Sequence, residues 1–139
     1  MPQRYEVIQV PLPDLDPRRL APLVGEERVG GLEEEAARVR GFLDGRRVLN
    51  LSSTAHGGGV AEILHTLLGY VRHMGIETAW LVIEGDPDFF QVTKRIHNGL
   101  YGGPGDGLAL DAAARGTYEG VLARNSASLR AVVRPDDVV

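Results

Sequence analysis

Apolar residues return every three or four positions between Val60 and Met74, at Val60, Ile63, Leu64, Leu67, Leu68, Val71 and Met74. That period is one face of an α-helix, and Gly75 ends it. Two short apolar runs flank this helix, Arg47–Leu51 and Thr78–Ile83. Their length and branched residues predict buried strands. Tyr5–Val10 alternates apolar and polar and predicts a further short strand. Pro11, Pro13 and Pro17 then force an extended loop. Leu32–Leu43, rich in Glu, Ala and Arg, predicts a helix ended by Asp44-Gly45. Asp86-Pro87 predicts a helix start, with an acceptor side chain at the cap and Pro at the first helical position. On that helix Phe89, Thr93, Ile96 and Leu100 are expected in the core. Phe90, Lys94, His97 and Tyr101 share a neighbouring face. Residues 102–107 form a glycine-rich loop, Leu110–Val133 reads as mostly helical, and Pro135–Val139 starts one more strand.

Strands alternating with helices predict an α/β fold with a mostly parallel sheet, built from strand–helix–strand crossovers. Ligands in such sheets bind beyond the carboxyl ends of the strands. The turns Gly57–Gly59 and Glu84–Asp86 are both expected on that edge, facing one cleft. Three core strands are few, since sheets of this kind commonly have about five or six. The chain therefore reads as part of a longer protein. The unpaired sheet edge predicts association, either with a second copy as a homo-oligomer or with a C-terminal partner.

Composition narrows the partners. The 139 residues suit one domain. A net charge of −4 gives no global basic field for nucleic acid. No apolar run approaches the roughly 20 residues that cross a bilayer, so no membrane partner is expected. The first residues lack the apolar core of a signal peptide, and a cytoplasmic location is expected. The absence of cysteine excludes disulfides and thiol catalysis.

The candidate chemistry starts at Ser52-Ser53-Thr54-Ala55-His56-Gly57-Gly58-Gly59-Val60-Ala61-Glu62. Three glycines between a strand and a helix let the backbone approach a ligand. The helix N-terminus behind them favours an anion. The spacing matches neither the phosphate loop that ends in Gly-Lys-Ser/Thr nor the dinucleotide fingerprint. Two explanations stand: a phosphate cradle, or a tight turn where the helix packs close to the sheet. Lys94 is the single lysine among 15 basic residues. With Phe90, His97 and Tyr101 it offers an aromatic wall and directional donors suited to a polyhydroxylated ligand. A plain solvated surface face explains the same pattern.

Ser53-Thr54-Ala55-His56-Gly57-Gly58-Gly59-Val60-Ala61-Glu62-Ile63-Leu64-His65, Trp80-Leu81-Val82-Ile83-Glu84-Gly85-Asp86 and Phe89-Phe90-Gln91-Val92-Thr93-Lys94-Arg95-Ile96-His97-Asn98 resemble a known family. It is the N-terminal domain of trehalose glycosyl-transferring synthases, retaining glycosyltransferases with two Rossmann domains. Retaining trehalose phosphorylases share much of the pattern. The resemblance is dense from about Val48 to Gly102. It implies a Rossmann-like three-layer sandwich, with residues 47–139 an incomplete acceptor-side domain. Residues 1–46 would supply an N-terminal strand, proline-rich loop and helix. It implies glucosyl transfer from a nucleoside-diphosphate glucose to glucose, giving trehalose. A C-terminal Rossmann domain absent from this chain would complete the site, and the chain alone would be inactive. Gly57, Gly58 and Gly59 would approach the donor diphosphate. His56, Glu62, Glu84, Asp86, Phe90, Lys94, His97 and Asn98 would be acceptor-side candidates. No metal and no cofactor is implied. A phosphorylase domain, or a free-standing sugar-binding module, remains the alternative.

Overall fold

The computed structural model describes residues 7–139. Its elements run β1 (Ile8–Val10), a 3-10 turn (Pro17–Leu20), α1 (Ala21–Val24), α2 (Glu26–Leu43), β2 (Val48–Ser52), α3 (Gly59–His73), β3 (Thr78–Val82), α4 (Pro87–Leu100) and α5 (Ala112–Val132). The predicted first strand began at Tyr5. Tyr5 and Glu6 lie outside the described residues, and Ile8–Val10 is the part that pairs.

The fold is α/β. Three strands make one sheet in the order β1-β3-β2. Strands β2 and β3 run parallel, with Val48 opposite Thr78 and Ser52 opposite Val82. Because α3 joins them, they form the strand–helix–strand crossover that the alternation predicts. The described residues divide into two compact units: Gln9–Val82 with Arg134–Val139, and Val7 and Ile8 with Ile83–Val133.

In the first unit, Ala61 and Leu68 of α3 pack on Trp80 and Val82 of β3, joined by Val10, Leu12, Ala55 and Leu64. A second cluster, Ala36, Leu43 and Ile76 with Val39, Val48, Val71 and Met74, ties α2 to the end of α3 and the start of β2. Each aliphatic side chain removed from water here contributes about 1.5–3 kcal/mol. Helix α2 begins at Glu26 rather than at the predicted Leu32. Gly30 and Gly31 sit inside it, where glycine costs about 1 kcal/mol relative to alanine. Val29, 4% exposed, supplies the burial that overrides them. The proline segment is also more regular than predicted. Asp16 accepts a hydrogen bond from the Arg18 N–H at 2.8 Å and caps the 3-10 turn.

The α3 stripe is only partly core. Leu64, Leu68 and Val71 face inward, whereas Val60, Ile63 and Leu67 are 71%, 63% and 50% exposed. The apolar arc is wider than the surface that covers it. At the far end of the chain, Val138 forms a single parallel bridge to Val48. The Leu49 N–H donates to the Val138 carbonyl at 2.7 Å, and the Val138 N–H donates to the Arg47 carbonyl at 2.9 Å. Arg47 grips Asp137 with Nε and Nη2 at 2.9 and 2.6 Å, and the Asp137 side chain is 1% exposed.

In the second unit α4 packs on α5. The Phe89 ring stacks on Tyr118 at 5.8 Å, and Val92, Ala114 and Val121 are buried with it. Asp111 caps α5 through the Ala114 N–H at 2.9 Å. Leu100, expected in the core, is 82% exposed. It is the last residue of α4, next to the turn that enters the glycine-rich loop.

Candidate functional site

The glycine turn belongs to the first unit, and its entry is fixed by a chain of hydrogen bonds. The Trp80 indole N–H donates to Ser52 Oγ at 2.8 Å. Ser52 Oγ donates to the Thr54 carbonyl at 3.0 Å. Thr54 Oγ1 donates to the His56 carbonyl at 2.6 Å and accepts the His56 N–H at 3.1 Å. Trp80 is fully buried, so the turn is anchored to the best-packed residue of the sheet.

Beyond His56 the backbone takes conformations that suit glycine. Gly57 and Gly58 have φ of +76° and +84°, where an L side chain is strained. Gly59 does not. A β-carbon at any of the three would meet no atom within 4 Å. Close packing of helix on sheet therefore does not explain the glycines. What remains is an open helix N-terminus, with no side-chain cap on α3. Its first-turn N–H groups are donors for an anion. His56 and Glu62, both exposed, flank this opening.

Glu84–Asp86 and α4 belong to the second unit. Asp86 Oδ1 accepts the Phe89 N–H at 2.8 Å and caps α4. A β-carbon on Gly85 would stand 2.4 Å from Phe89 Cδ1, so only glycine fits under that ring. Both backbone polar groups of Glu84 are bound by Asn125, which composition and periodicity did not single out. An asparagine in a helix interior is disfavoured, and that was the one available signal.

The expected aromatic and polar face of α4 is solvent-facing, and it divides. Phe90 is 38% exposed, and its ring meets Phe89 edge-on at 5.4 Å. His97 lies against Tyr101 with ring centroids 4.7 Å apart. Lys94 turns to a different group. With Gln91, Arg95, Asn98, Gly105 and Asp106 it lines a cavity of about 440 Å³. Among the described residues no ion pair involves Lys94. Its neighbour Arg95 is engaged by Asp106, Nε to Oδ2 at 2.7 Å. That hydrogen bond holds the Asp106 carboxyl below its ordinary range. Gln91 and Asn98 add amide donors and acceptors to the cavity. Gln91, Arg95 and Asp106 were not among the predicted site residues, because Asp106 reaches α4 only through the fold of residues 102–107.

The model for the trehalose synthase N-terminal domain matches residues 50–139. The chain is 42% identical over 104 residues to a trehalose synthase of Pyrococcus horikoshii, covering 75% of this chain and 24% of that protein. It is 46% identical over 80 residues to a trehalose synthase of Rubrobacter xylanophilus, covering 58% and 18%. It is 34% identical over 74 residues to a trehalose phosphorylase of Pleurotus pulmonarius, covering 53% and 10%. The chain thus spans about a quarter or less of the length of these relatives. The family match takes in the glycine turn, the Glu84–Asp86 turn and all of α4, and by it this chain belongs to the trehalose synthase N-terminal domain family.

Proposed function

We propose that this chain is the N-terminal, acceptor-side part of a retaining, two-Rossmann-domain glycosyltransferase that makes trehalose from a nucleoside-diphosphate glucose and glucose. The observation that carries the proposal is the family match over residues 50–139, joined to an open and uncapped helix N-terminus at Gly57–Gly59. In the reaction the donor C1–O bond to the diphosphate breaks. A new C1–O bond forms to the anomeric oxygen of the acceptor. The hydroxyl proton leaves with the diphosphate. The α3 N–H groups would receive the diphosphate charge. Glu84, Asp86, Lys94 and Asn98 would hold acceptor hydroxyls, with Phe90 and His97 as flanking walls. A C-terminal Rossmann domain would bring the donor. Without it the two reactants are not held together, and that positioning is a large part of such rates. This chain alone then makes no trehalose.

Titrating isotope-labelled chain by NMR tests the proposal. D-glucose should shift amides of Glu84–Asn98. Nucleoside diphosphates should shift those of Gly57–Ala61. Silence in both segments overturns it. So does trehalose formation by the isolated chain at about 1 per second, an ordinary enzyme rate. A second reading is favoured by the trehalose phosphorylase match: orthophosphate replaces the nucleotide. Gly57–Ala61 would then respond to inorganic phosphate and ignore nucleoside diphosphates.

A further inference from the structure

Strand β3 ends at Val82, and the backbone of Glu84 finds its partners in a side chain. The Glu84 N–H donates to Asn125 Oδ1 at 3.0 Å. The Glu84 carbonyl accepts from Asn125 Nδ2 at 2.7 Å. The same Nδ2 donates to the Val121 carbonyl one turn back on α5 at 3.0 Å. A primary amide thus pairs with both polar groups of one residue, as a neighbouring strand would. Asn125 is 1% exposed. An apolar side chain there would leave a buried N–H and C=O unpaired.

The residue so held is followed by two others that are also fixed. Gly85 lies under the Phe89 ring, and Asp86 caps α4. Three consecutive residues are therefore each set by a separate contact within the unit. A turn needed only as a connection does not require this. Fixing both backbone groups of Glu84 fixes the direction of its Cα–Cβ bond, and so limits where its carboxylate can reach.

We propose that Asn125 is a positioning residue of the acceptor site: by clamping the Glu84 backbone it aims the Glu84 carboxylate at hydroxyls of the bound sugar. The proposal rests on the reading of Glu84–Asn98 as the acceptor side. The test uses the chain itself, with amide hydrogen exchange and D-glucose titration followed by NMR. The Glu84 amide of the unaltered chain should exchange slowly, like those of α5. Asn125→Ala should speed that exchange and weaken glucose binding about tenfold, with the Val92 and Phe89 amides still protected. The Asn125→Ala and Glu84→Gln losses in affinity should not add in the double variant, because one acts through the other. A merely structural asparagine would give additive losses.

Fast exchange of Glu84 in the unaltered chain overturns the clamp even if no variant folds. Unchanged glucose affinity in Asn125→Ala, or additive losses, overturns the positioning role while leaving the acceptor reading intact. A protected Glu84 amide in a chain that does not respond to glucose overturns the acceptor reading, and the positioning role with it.

Discussion

Gly58 and Gly59 are neighbours with different demands. Gly58 has φ +84° and ψ 150°, a region closed to branched side chains. Gly59 is helical, with open space where a β-carbon would stand. Gly58→Val should therefore lose about 1–3 kcal/mol of stability through backbone strain. Gly59→Val should keep the melting temperature within a few degrees and abolish nucleoside diphosphate shifts at the turn. Thermal melts run beside the titration separate the two effects. If Gly59→Val binds diphosphate normally, no ligand approaches this helix end. Lys94 allows a similar separation. It is exposed, so Lys94→Met should move stability by no more than about 0.5 kcal/mol. A lost charged hydrogen bond to the sugar should weaken glucose binding by about 1.5–3 kcal/mol. Unchanged affinity would make Lys94 an ordinary surface residue.

On the scale of one element, α3 carries two apolar faces that the sequence cannot tell apart. Leu67 and Leu68 are adjacent leucines, 50% and 5% exposed. Leu68→Ala empties a place beside Trp80 and should cost about 2–5 kcal/mol. Leu67→Ala should cost less than about 1 kcal/mol, since half of that side chain is already in water. Urea unfolding of the two variants gives the difference directly. Equal losses would mean that the outer face is covered in solution. The α4 helix teaches the same lesson from its ends. Its start was legible, because Asp86-Pro87 is a local signal that the cap hydrogen bond bears out. Its end was legible too, since the glycine-rich loop follows Leu100 as expected; the exposure of Leu100 was not, because it fits the helical period whether or not anything covers it.

For the molecule as a whole, the last residues are tied back to β2 by an ion pair between residues 47 and 137. The Arg47 hydrogen bonds hold the Asp137 carboxyl below the usual aspartate range. Burial opposes this, and the Arg134 N–H assists. The folded-state value is depressed, so the pair stabilises the fold above the unfolded aspartate value of about 3.9. That stability is lost as pH falls through the folded value. The melting temperature should be flat from neutral pH to about pH 5 and fall below about pH 4. Asp137→Asn should be less stable at neutral pH and should flatten part of the acid decline. Exchange of the Leu49 amide, which is bonded to Val138, should report the same loosening. An identical acid profile in the variant would show that the pair contributes nothing.

The sequence by itself determined the order and kind of the main elements, because strand period, helix period, proline breaks and the Asp86 cap act within a few residues. It also pointed to the family, because the segments around the glycine turn and α4 are contiguous in the chain. Only the tertiary structure decided which half of the α3 stripe is buried and that α2 reaches back through Gly30-Gly31. It alone decided that Lys94 shares a cavity with Asn98 and Asp106. It alone revealed that Asn125 holds Glu84. These outcomes depend on partners far along the chain, and no local pattern encodes a partner that distant.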